Sequence, residues 1–123
     1  MQCIGLHDED MQEIMARTFV IRHLEERVKE LFLAEHHAQQ AVAWITETLS
    51  SVTVESPVYD MHVRGLLWAK QEHEGVGQDI ANLRRHIALL QESLALFLAR
   101  RYDFDPTDTQ WVLSIERKTL ECT

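Results

Sequence analysis

From Asp8 to Ser50 the chain has neither glycine nor proline, and its apolar residues follow a seven-residue repeat. Ile14, Ile21, Val28, Val42 and Leu49 fall at one seam position, and Leu24, Leu31, Ala38 and Ile45 at the other. Arg17 and Glu35 are the two polar exceptions. A heptad spacing of this kind keeps one stripe of a helix facing a partner, so residues 8–50 read as one helix. Its acidic start, with Asp10 three residues before Glu13, resembles a capping box.

The stretch Ser50–Ser56 is rich in hydroxyl and β-branched residues and breaks the pattern. Ser56 before Pro57 reads as an N-cap followed by proline at the first helical position. A second heptad run then covers residues 57–101. Tyr59, Leu66, Ile80, Ile87 and Leu94 share one seam position, and Ala69, Val76, Leu83, Leu90 and Phe97 the other. The frame passes unbroken through Gly75-Val76-Gly77. Each glycine costs a helix interior roughly 1 kcal/mol against alanine, so the spacing predicts a kink or a break near residues 75–77 without a reversal.

Beyond Arg101, Asp105 before Pro106 with Asp108 three residues on predicts a helix start, and the element over residues 106–121 reads as a short helix. The alternation of Trp111, Leu113 and Ile115 is the competing strand pattern. The expected fold is therefore a single all-α domain over residues 1–123: a long antiparallel helical hairpin plus a short C-terminal helix.

Length adds a constraint. A helix over residues 8–50 would be about 64 Å long, whereas a compact chain of this size is only about 35 Å across. Either the first helix breaks, around Glu35-His36-His37, or the hairpin buries its surplus surface against another chain. Phe32, Leu33, Trp44, Leu67, Trp68 and Leu89 lie outside the seams and are the expected interface. A homodimer completing a four-helix bundle would cover them.

Composition narrows the function. With 46% apolar residues, 26% charged residues, 4 Gly and 2 Pro, a barrel or sandwich of many short strands is disfavoured. The net charge of -8 disfavours nucleic acid as a partner, because phosphate backbones select basic surfaces. The basic spots are Arg84-Arg85-His86 and Arg100-Arg101, the latter at a helix C-terminus, where cations offset the macrodipole. Cys3 and Cys122 have no C-x-x-C partner, which suits a reducing compartment. No run of about 18 apolar residues suggests a membrane span, and the N-terminus lacks the basic and apolar regions of a signal peptide. The expected location is the cytoplasm.

The candidate chemistry is a polar layer. With the turn midpoint near residue 53, Glu35 of the first helix and His73 of the second should lie at nearly one height, flanked by His36, His37 and Glu72. Carboxylate and imidazole at one level of a bundle are ligands for a divalent transition metal, and a twofold dimer would double them. The competing reading is an ion pair that fixes helix register. His62 reads as an ordinary seam histidine. Helical metal-dependent nucleotide pyrophosphohydrolases carry Glu-Glu-x-x-Glu on one helix and Glu-x-x-Asp on the next. Glu25-Glu26 with Glu30, and Glu74 with Asp79, only loosely resemble that pattern because both spacings differ. The Glu25–Glu30 acids read better as a solvated face. Arg17 and His23 have a spacing seen in some helical RNases, which chance readily supplies among seven histidines. No phosphate loop, nucleophile elbow or Cys–His pair occurs. The expectation is a non-catalytic homodimeric module binding a protein or a small ligand. The alternative is a metal-binding helical-bundle protein or metal-dependent hydrolase using the interior Glu and His.

Overall fold

The structure is a computed structural model that describes residues 2–123. It is 71% helical, with two long helices packed against each other and a small three-stranded sheet. The order is β1 (Gln2–Gly5), α1 (Asp8–Ser50), α2 (Tyr59–Tyr102), β2 (Trp111–Ser114) and β3 (Thr119–Cys122). The chain divides into two compact units. One takes the segments up to Glu25 and from Arg85 to Thr123, and the other is Glu26–Arg84.

Both helices run without interruption. α1 passes through Glu35-His36-His37, and α2 passes through Gly75-Val76-Gly77 with no break in its helical pattern. Apolar seam contacts on either side hold the glycines helical, which outweighs their intrinsic cost. The helix ends complement the macrodipole, with Asp8, Glu9 and Asp10 in the first turn of α1 and Arg100 and Arg101 in the last turn of α2. α2 starts two residues later than Pro57 suggests. The chain first makes tight turns, with Ser56 N–H donating to Thr53 O at 3.0 Å and Tyr59 N–H to Ser56 O at 3.1 Å.

The expected C-terminal helix is a β-hairpin. α2 ends in a left-handed residue, Asp103 (φ 52°), whose N–H donates to Ala99 O at 3.0 Å. Asp105 then forms an Asx turn instead of capping a helix: its Oδ1 accepts from Thr107 N–H at 2.9 Å and from Thr107 Oγ1 at 2.7 Å. These two bonds hold the Asp105 carboxyl below the ordinary aspartate range, the hydroxyl contributing most. The alternating residues beyond it pair as β2 and β3, antiparallel, with Trp111 opposite Cys122 and Leu113 opposite Leu120.

β1, which the sequence pattern did not announce, adds to the other edge of β3 and gives the order β1-β3-β2. It pairs Gln2 with Cys122 and Ile4 with Leu120. The two cysteines thus arrive on neighbouring strands, but one register position apart, so they face opposite sides of the sheet. Cys3 is exposed and Cys122 buried, and both are free thiols.

The core of the first unit joins both helices to the sheet. Ile14 of α1, Leu98 of α2 and Leu120 of β3 are its fully buried side chains, with Leu6, Met11, Ile21, Ile87, Leu94 and Cys122 around them. Asp10 is the one buried charged residue described, at 3% exposure. Tyr102 explains how that burial is tolerated. Its hydroxyl donates to Asp10 Oδ2 at 2.7 Å and accepts from His7 N–H at 3.0 Å. Asp10 therefore does not act as the N-cap that its spacing to Glu13 suggested. Burial, reinforced by the Asp10 carboxylate, pushes the Tyr102 phenol above its ordinary value, against the lowering pull of the His7 N–H.

Candidate binding surfaces

The second unit, Glu26–Arg84, is a pair of helix segments sharing one narrow seam. Val28, Leu31, Ala69 and Ile80 are its buried apolar residues. Between Glu35 and Leu49 the seam residues of α1 are only half-buried. One helix laid against one other covers roughly a third of its surface, so residues outside the seam stay in solvent.

Local contacts fix the register of the two segments. Ile45 Cδ1 lies 3.7 Å, and Glu35 Oε2 3.5 Å, from the positions that a Cβ would take on Gly65 and Gly77 respectively. The hairpin's midpoint thus falls near Glu55, not near residue 53, because α2 starts late. A two-residue displacement of the midpoint moves every facing position by about one helical turn. Glu35 consequently folds over Gly77. His73 lines a shallow groove with Gln39, Val42, Lys70 and Glu74. Among the described residues, no group of three or more His, Cys, Asp or Glu is placed to hold a metal ion. His62 uses Nδ1 to reach Val58 O at 2.7 Å in the first turn of α2.

The other polar candidates have local partners. Glu26 pairs with Lys29 at 3.0 Å and Glu30 with Arg27 at 2.9 Å, both exposed pairs three residues apart on α1. Pairs of this kind are worth a few tenths of a kcal/mol and mark a solvated face. Arg17 and His23 have different partners: Arg17 donates from Nε to Glu13 Oε1 at 2.8 Å, and His23 stacks on Phe19.

All six residues expected at an interface are exposed. Phe32 lies under the Arg84 guanidinium, 4.8 Å from its ring centre. Phe32 and Arg84 each directly follow an inner seam residue, Leu31 and Leu83, so residues in that position share one side of the pair. Trp44 and Trp68 each directly precede one, Ile45 and Ala69, and so share the opposite side. The Ile45–Gly65 and Glu35–Gly77 contacts put the two indoles within a turn of the same height. Each is 64% exposed. Leu33 and Leu67 are exposed farther round their helices, and Leu89 lies in the first unit.

In that first unit, Leu89 lines an open groove of about 590 Å³ with Leu96, Phe97, Arg17, Arg100 and Arg101. Arg17 and Arg101 both sit over the Phe97 ring, 5.0 and 5.5 Å from its centre. Arg17 is fixed there by Glu13 and by a 2.7 Å hydrogen bond from Nη1 to Ser93 Oγ, while Arg101 lies 3.7 Å from Asp10. Sequence reasoning missed this group. Its one signal was Arg17 itself, a cation on an otherwise apolar seam.

No helix among the described residues is long and apolar enough to cross a membrane. The chain matches no protein-family model, no curated protein and no solved structure.

Proposed function

We propose that the protein is a non-catalytic, homodimeric binding module whose two copies associate through the tryptophan-bearing side of residues 26–84. The observation that carries this reading is the imbalance of the second unit. Four apolar residues there are buried (Val28, Leu31, Ala69, Ile80), whereas eight large ones are exposed: Phe32, Leu33, Trp44, Val54, Val58, Met61, Leu67 and Trp68. Isolated exposed apolar residues are ordinary, but two indoles at one height on one side of a helix pair are the usual mark of an interface. A second hairpin packed on that side gives the smallest closed assembly, a four-helix bundle with twofold symmetry.

Sedimentation velocity of the wild-type chain, Trp44→Glu and Trp68→Glu tests the reading. The wild type should sediment as a dimer with blue-shifted tryptophan emission. Each variant should dissociate to a monomer that keeps its helical circular dichroism. A wild-type monomer at every concentration from low micromolar upwards, with emission typical of water-exposed indole, would overturn it.

A further inference from the structure

We propose that β2 is a further self-association edge, at which two copies of the chain join their sheets into one continuous antiparallel sheet. This does not rest on the tryptophan-side contact, whose residues belong to the other unit.

The ladder fixes which backbone groups of β2 are free. Gln110 N–H donates to Thr123 O at 3.2 Å, and Thr123 N–H donates back to Gln110 O at 2.8 Å. Bonded and non-bonded pairs alternate along an antiparallel ladder, and the next pair is Trp111 with Cys122. Val112 and Ser114 therefore bond to β3, while Trp111 and Leu113 turn their N–H and C=O groups outward. That side is an edge, because the strand order is β1-β3-β2. Edge strands are commonly blunted by a charge, a proline or a bulge. The run Gln110–Ser114 has none of these. Two open hollows of about 530 and 440 Å³ follow the strand from Thr109 to Arg117 and share Val112 and Glu121.

The free groups stand symmetrically about Val112, which fits a second copy. On a twofold axis at Val112, Trp111 pairs with the partner's Leu113, and Leu113 with the partner's Trp111, each pair closing two backbone bonds. Val112 then faces its own copy as a non-bonded pair, with about 4.5 Å between Cα atoms. Its side chain is 64% exposed in the single chain and is covered in that pair. Gln110 comes opposite the partner's Ser114, so polar meets polar on the same face.

Charge favours the same arrangement. Asp105 and Asp108 are exposed before β2, with no base between Tyr102 and Gln110. After β2 come Glu116, Arg117 and Lys118, and Arg22 of α1 lines the hollow beside them. Lys118 is engaged by Asp8 at 3.3 Å, but among the described residues no ion pair holds Arg22 or Arg117. An antiparallel copy sets the acidic end of each strand beside the basic end of the other. The two copies of Glu121 are separated by both β2 strands, about 14 Å, which exceeds the screening length at physiological salt.

Cysteine cross-linking of the full chain reads this register, with the exposed Cys3 replaced by serine in every sample. Val112→Cys should form an interchain disulfide under mild oxidation, because non-bonded antiparallel pairs bring Cβ atoms within reach of one. Gln110→Cys and Ser114→Cys should each cross-link at least tenfold more slowly alone, and should link to each other when mixed. The contact is small beside the roughly 1,600 Å² of a stable interface. Without a cross-link, species beyond the low-micromolar state should therefore sediment only near about 500 µM, and Val112→Lys should remove them. Adding Trp44→Glu should leave the cross-linking pattern unchanged. No cross-link in Val112→Cys, or equal rates for the three single cysteines, would overturn the proposal. A chain that is monomeric at low micromolar concentration but keeps the pattern would overturn only the tryptophan-side dimer.

Discussion

The Tyr102 hydroxyl donates a 2.7 Å hydrogen bond to Asp10 Oδ2, tying the last residue of α2 to the first turn of α1. Ninety-two positions separate the two residues in the chain. Asp10 is almost fully buried, with the Arg101 guanidinium 3.7 Å and the His7 imidazole 3.8 Å from its carboxylate. Removing the phenol oxygen leaves a buried carboxylate without its short donor. Tyr102→Phe should therefore lower stability by about 1–3 kcal/mol. Urea unfolding followed by circular dichroism measures it, and a loss within error of zero would show that Arg101 alone satisfies Asp10.

The same phenol makes stability depend on alkaline pH. Burial raises its folded value above its ordinary one, so the folded chain holds this proton more tightly than the unfolded chain. That contribution is complete below the ordinary phenol value of about 10 and is lost as pH rises through the raised folded value. Tyr102→Phe should flatten this alkaline decline relative to wild type. Asp105 has the opposite sign. Its folded value is depressed, so its contribution is present above the ordinary aspartate range and is lost as pH falls through the folded value. In Asp105→Ala that part of the acid decline should vanish.

Gly75 and Gly77 lie inside α2 with room for a methyl group. A Cβ on Gly75 meets nothing within 4 Å, and one on Gly77 meets only Glu35 Oε2 at ordinary contact distance. Each alanine substitution should stabilise the helix by about 0.5–1 kcal/mol, raising the urea midpoint. A destabilising Gly75→Ala would indicate that a partner chain approaches the backbone there.

Asp103 and Lys118 both adopt a left-handed backbone, each with φ 52°. One ends α2, and the other closes the turn between β2 and β3, where its N–H donates to Ile115 O at 3.2 Å. Glycine reaches that region without the penalty of about 1–2 kcal/mol that a side chain brings. Asp103→Gly should stabilise by up to about 1 kcal/mol once the glycine's larger unfolded entropy is subtracted. Lys118→Gly should gain less, because it also gives up the 3.3 Å ion pair from Nζ to Asp8. Paired thermal melts of the two variants would check the order.

The heptad frame alone determined both long helices, their antiparallel packing and the surplus of exposed apolar residues. Helical periodicity is a local property repeated over many turns, so no single residue could spoil it. The tertiary structure decided whatever depended on a short segment meeting a distant one. The C-terminal residues carried helix-cap and strand signals of similar weight; they form the hairpin β2–β3, whose β3 edge pairs with β1 from the far end of the chain. No local pattern could reveal β1, four residues long, without its partner. The height of the polar layer depended on the length of one turn: with α2 starting at Tyr59, Glu35 Oε2 stands beside Gly77, about one helical turn along α2 from His73. Arg17 was legible as an anomaly on its seam, but its position over Phe97 beside Ser93 exists only because the two helices meet there. Asp10 read as a cap until Tyr102, at the other end of the chain, reached it. For β1, Arg17 and Asp10 the deciding interaction spans tens of residues, and a local pattern carries no information about where such a partner will stand.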